Sequence, residues 1–170
     1  MKSKRPDAFL LFLACLVPVL LSTVQEVYSL DIPSTAIITP SELFCGKAIG
    51  EFDRVIVGTA STDKLTGTAG NDLIRGLGGN DKIFGYKGDD CIMGGDGNDT
   101  IRGYSGRDTI YGGPGNDSLM GETNNDNLFG EEGNDVLSGS SGNDFLDGGV
   151  GIDSCKKGAG ADILVHCEAR

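Results

Sequence analysis

Aspartate stands at Asp63, Asp72, Asp81, Asp90, Asp99, Asp108, Asp117, Asp126, Asp135, Asp144, Asp153 and Asp162, every ninth residue twelve times without a gap. Carboxylates are hard oxygen donors, and rows of them suit hard divalent cations, which gather oxygens from carboxylates, carbonyls and water. Catalysis by side chains needs a nucleophile or base with an oriented partner, or a metal with an open position. The chain has one histidine, His166, in its tail, and carries neither H-E-x-x-H nor G-x-S-x-G. The pattern therefore points to cation binding without catalysis. Like charges stacked about 5 Å apart repel by about 1 kcal/mol in water and several times more at an effective dielectric near 20. Such a stack closes only around a counter-ion.

The elements that must carry these aspartates follow from the rest of the period. Two residues after each comes an apolar residue: Leu65, Ile74, Ile83, Ile92, Ile101, Ile110, Leu119, Leu128, Leu137, Leu146, Cys155 or Leu164. Five residues before each stands Gly, from Gly58 to Gly148, with Lys157 the exception; two residues before stands Gly again, with Ser61 and Asn124 the exceptions. Residues 58–165 are thus twelve units of 9 residues, 108 in all, holding 26 of the 28 glycines. Gly94-Gly95-Asp96-Gly97-Asn98-Asp99 is turn chemistry, because Gly and Asn tolerate left-handed backbone angles. Thr100-Ile101-Arg102 reads as a three-residue strand with an inward-facing centre. So short a strand is unstable alone, but stacked units pair their backbones and bury Leu and Ile as ladders. Two units make one coil, giving about six coils roughly 4.8 Å apart.

These units resemble the hemolysin-type calcium-binding repeat, the RTX nonapeptide G-G-x-G-x-D-x-U-x. Gly112-Gly113-Pro114-Gly115-Asn116-Asp117-Ser118-Leu119-Met120 fits it at every defined position, as does Gly94 to Arg102. The resemblance implies an all-β, right-handed parallel β-roll with Ca²⁺ held between successive turns by loop carbonyls and aspartates. Its expected metal ligands are Asp63, Asp72, Asp81, Asp90, Asp99, Asp108, Asp117, Asp126, Asp135, Asp144 and Asp153, most firmly Asp72 to Asp144. Departures at Ser61, Asn124 and Lys157 weaken their own sites. Five sandwiches on each side cap the number of ions at about ten.

Composition agrees with a repeat protein. No Trp, 6% aromatic residues and 28 Gly in 170 residues leave little for a large core. A formal charge of −11 argues against nucleic acid and anionic membranes as partners and favours cations. Residues 1–29 read as a secretory signal: Lys2, Lys4 and Arg5 precede a fourteen-residue apolar run from Ala8 to Leu21. A retained anchor is the alternative; with the segment cleaved, no stable membrane insertion is expected. Residues 30–57 form an N-terminal capping segment, with a short helix starting near Thr39-Pro40-Ser41-Glu42 and a lead-in strand at Arg54-Val55-Ile56-Val57. Residues 166–170 are a tail. In the family such repeats often follow a catalytic or toxic domain. The expectation here is a stand-alone secreted, extracellular calcium-binding module, the alternative a non-catalytic module of a toxin or protease exoprotein. Ice binding, seen in some related rolls, is disfavoured because no outward ladder of Thr or Asn is present.

Odd and even units form opposite faces. Around the buried ladder the odd face shows mostly polar residues, while eight of twelve on the even face are apolar, including Leu73, Cys91, Met93, Tyr111, Phe129, Phe145 and Ile163. Such a strip marks contact with something: either residues 31–57 fold over it, or it binds a protein or surface partner. Four cysteines follow the signal, at 45, 91, 155 and 167, and an oxidising export route favours two disulfides, for which three connectivities exist. Cys155 lies in the buried ladder and Cys167 three residues past Leu164, so their pairing caps the last coil. Cys91 on the even face then pairs with Cys45. A zinc site from these cysteines and His166 lacks any C-x-x-C.

Overall fold

The structure is a computed structural model that describes residues 43–168. The signal segment, residues 30–42 with the start of the expected helix, and the last two residues lie outside the described residues. Two parallel sheets stack back to back. One holds Lys64–Thr66, Lys82–Lys87, Thr100–Ser105, Ser118–Thr123, Val136–Ser141 and Ser154–Lys156. The other holds Arg54–Val57, Asp72–Gly78, Cys91–Asp96, Thr109–Pro114, Asn127–Glu132, Phe145–Asp147 and Ile163–Val165. Successive strands alternate between the sheets, so the chain winds as a parallel β-solenoid of about six turns. Each residue pairs with the one eighteen further on, as in Ile101 with Leu119 and Leu119 with Leu137. The lead-in strand Arg54–Val57 pairs with Asp72–Gly78 and gives the even sheet its seventh strand.

Most strands run six residues rather than the expected three. Pairing continues past the glycine into what the sequence suggested was loop, with Tyr104 opposite Glu122 and Ser105 opposite Thr123. The second position of the unit takes a left-handed backbone even without glycine, at φ 76° for Tyr104 and 83° for Glu122. That single left-handed residue bends the strand without ending its ladder, as a bulge does.

Ile74, Ile83, Ile92, Ile101, Ile110, Leu119, Leu128, Leu137 and Leu146 are all fully buried and form one continuous core between the sheets. At the ends of the ladder Ile56, Leu65, Cys155 and Leu164 are only half-buried. From Leu43 the chain forms not a helix but a hairpin, Leu43–Phe44 against Lys47–Ala48, followed by a short 3-10 turn at Ile49–Glu51. Cys45 and Gly46 turn it at φ 49° and 78°, the double left-handed geometry of a two-residue hairpin. This segment lays Phe44 and Phe52 over Leu73 and Cys91 on the even face, burying both, as expected if residues 31–57 fold over that face. Arg75 and Lys47 cover the rings of Phe44 and Phe52 at 5.6 and 5.7 Å. Beyond Met93 the hairpin's apolar cluster ends, and half-buried Tyr111 stacks on Phe129 at 4.8 Å with Phe129 tilted against Phe145 at 5.6 Å.

Both disulfides form as Cys45–Cys91 and Cys155–Cys167. All four cysteines are thereby consumed, and a zinc site built from them is ruled out.

Candidate metal centre

Each aspartate sits at the end of a turn, and for most of them the residue two before it is a left-handed glycine, with left-handed Asn124 taking that place before Asp126. Its side chain points along the stack. Asp99 donates its backbone N–H to Asp117 Oδ1 at 2.7 Å, and Asp117 donates to Asp135 Oδ1 at 2.8 Å. The opposite side repeats this, with Asp90 donating to Asp108 Oδ1 and Asp108 to Asp126 Oδ1, both at 2.9 Å. Two carboxylate ladders therefore run the length of the roll, one at each lateral edge. From Asp72 to Asp153 the ladder aspartates are at most 3% exposed.

The second oxygen of each carboxylate tells the sites apart. Oδ2 of Asp81, Asp90, Asp99, Asp108, Asp117, Asp126, Asp135, Asp144 and Asp153 is buried with no hydrogen-bond donor. A buried anionic oxygen without a partner is costly, which makes these nine atoms the candidate cation ligands. Glycine makes the space: a Cβ on Gly94 would collide with both Asp99 Oδ2 and the Gly112 carbonyl oxygen, and a Cβ on Gly130 with Asp135 Oδ2 and the Gly148 carbonyl. A carboxylate from one coil and a carbonyl from the next thus border one small cradle. Those are the oxygens Ca²⁺ accepts. Among the described residues no three His, Cys, Asp or Glu side chains converge, so a cation here would draw its remaining ligands from backbone oxygens or water.

Asp63 and Asp72 differ. Asp63 Oδ2 accepts the Thr59 N–H at 2.6 Å and its hydroxyl at 2.9 Å, and Asp72 Oδ2 accepts the same two donors of Thr68. Asp162 Oδ2 accepts the Gly158 N–H at 3.0 Å. These three carboxylates are satisfied by their own units. The sequence held a signal for two of them, since both expected ligands lie in Gly-Thr-Ala units.

Electrostatics single out the central rungs. Burial pushes Asp90 and Asp126 up to about 8, Asp117 to about 7, and Asp99 and Asp108 to about 6. Burial raises Asp135 and Asp144 as well. The N–H each oxygen accepts works against the shift, and the neighbouring carboxylates generally add to it. Outside the ladders runs a second, neutral one: Asn98 donates its N–H to Asn80 Oδ1 and Asn116 donates to Asn98 Oδ1, at 2.8 and 2.7 Å. It explains why Asn so often precedes the aspartate.

The RTX calcium-binding nonapeptide repeat model, which spans four copies, matches residues 57–92, 87–119 and 120–155. These matches cover more than half of the chain and contain all nine unpartnered carboxylates. No curated protein matches it.

Proposed function

The chain belongs to the family of RTX calcium-binding nonapeptide repeats, and from that premise we propose that it is a secreted module whose folding is completed by Ca²⁺ outside the cell. It is a calcium-binding β-roll. The proposal adds that ions lie between successive coils against the aspartates from Asp81 to Asp153. One observation carries this: nine buried carboxylate oxygens have no donor. At low calcium the repelling ladders and thin core leave the chain unfolded and exportable. At high calcium the ions neutralise the turns and contribute the missing stability. Two disulfides and the basic-then-apolar N-terminal sequence support an oxidising, extracellular destination. Among the described residues no helix is long and apolar enough to cross a membrane.

The finished roll acts as a rigid structural or surface-interaction element, its partner meeting the even face along Tyr111, Phe129 and Phe145. Calcium titration of the full chain, with bound ions counted after equilibrium dialysis, tests the central claim. Several ions per chain are expected, together with a gain of β circular dichroism that chelator reverses. A chain that binds no calcium, or whose spectrum ignores it, sinks the proposal.

A further inference from the structure

The last coil is closed by residues outside the nonapeptide pattern. Along the odd side each aspartate gives its N–H to the carboxylate eighteen residues on, ending with Asp135 to Asp153 Oδ1 at 2.9 Å. Asp153 instead gives its N–H to Glu168 Oε2. The backbone is copied too. Ser154 donates to the Asp135 carbonyl at 2.8 Å, and Glu168 donates to the Asp153 carbonyl at 2.9 Å.

The carbonyl half of the cradle is reproduced as well. In the preceding coil a Cβ on Gly130 would strike Asp135 Oδ2 and the Gly148 carbonyl oxygen; here a Cβ on Gly148 would strike Asp153 Oδ2 and the His166 carbonyl oxygen. The tail keeps register as far as His166 and then reaches its carboxylate after two residues instead of five. Glu has one methylene more than Asp, which suits a carboxylate carried on a shortened turn. Asp153 is 1% exposed and its Oδ2 has no donor. That atom is independent of the Glu168 contact and points to a missing ligand.

Two anchors hold the borrowed groups. Cys167, between His166 and Glu168, is bonded to Cys155, and His166 Nδ1 lies 2.8 Å from Asp147 Oδ1. Resting on the reading that Ca²⁺ lies between coils, we infer that Asp153, Glu168 and the His166 carbonyl form a terminal Ca²⁺ site on the odd side, one more than the repeats supply, which the Cys155–Cys167 disulfide assembles. The even side ends differently, because Asp162 Oδ2 is already occupied by the Gly158 N–H.

The test counts Ca²⁺ bound by the full oxidised chain and by three variants. Glu168→Gln keeps an oxygen able to accept the Asp153 N–H while removing the charge, and it should bind one ion fewer than the wild type. Cys167→Ser should lose one ion as well, and the double variant no more than one. Glu132→Gln, an equal charge change at an exposed position, should keep the full count. At saturating Ca²⁺, hydrogen exchange at the Asp153 amide should be slower in the wild type than in Glu168→Gln. A calcium-binding wild type whose count is unchanged by Glu168→Gln overturns the terminal site alone. A wild type that binds no calcium overturns the reading of the whole roll and this site with it.

Discussion

Stripping the metal should make folding depend on acid. Burial lifts five carboxylates from 3.8 to between about 6 and about 8 in the metal-free roll. Asp99 and Asp108, the least displaced, lie roughly two units above 3.8, equivalent to about 3 kcal/mol for each charge formed in the fold. Solvent at the turn mouths screens part of this, and halving it leaves about 1 to 2 kcal/mol. Five such groups together oppose folding by on the order of 10 kcal/mol, comparable to the whole stability of an ordinary domain, about 5 to 15 kcal/mol. Because folding raises these values, their stabilising contribution is complete below about 3.8 and is lost as pH rises through the interval from about 6 to about 8. Metal-free chain, held in chelator and followed by far-ultraviolet circular dichroism, should therefore be coil near pH 8 and gain β structure on acidification to about pH 5. Added Ca²⁺ at pH 8 should restore the same spectrum without acid. A metal-free chain with one unchanging β spectrum across that range refutes the reasoning, because the buried charges would then cost nothing.

Three further outcomes follow from the same geometry. Leu119→Ala, in the middle of the ladder and fully buried, should cost about 2 to 5 kcal/mol in denaturant titration at saturating Ca²⁺. Leu65→Ala, at the half-buried end, should cost markedly less; equal losses would contradict the ladder. Gly94→Ala places a methyl group on Asp99 Oδ2 and the Gly112 carbonyl, so it should lower the bound-ion count, whereas Gly50→Ala, with open space around it, should not. Opening Cys45–Cys91 with Cys45→Ser releases a loop spanning 46 residues and should lower stability by about 2 to 4 kcal/mol, while an unchanged denaturation midpoint would show that the hairpin holds without it.

Periodicity made the fold legible. A nine-residue rule fixes which side chain is buried, which turn is left-handed and where each carboxylate stands, so the coil number and both sheets could be read before any coordinates. The cysteine pairing was legible for the same reason, since ladder parity places Cys155 inside and Cys91 on the even face. What escaped lies where single residues depart from the rule. Asp63 and Asp72 match their sister aspartates in the repeat, yet a threonine four residues earlier supplies the donors the others lack. The cover over Leu73 and Cys91 was expected from residues 31–57, but not the hairpin that supplies it. Glu168 was hidden because the period contracts from eighteen residues to fifteen, and a search for spacing passes over a carboxylate that breaks it.

The two cross-links also determine how the molecule carries tension. A pull on the N-terminal segment enters the roll through Cys45 and passes directly to Cys91, so the chain between them is shielded from load. At the other end force bypasses the residues between Cys155 and Cys167. Only the stretch from Cys91 to Cys155 can be drawn out while both bonds last, and it holds seven of the nine buried ladder residues. Under shear the roll should thus extend by a fixed, limited length and keep its two end coils as intact handles from which it can rewind.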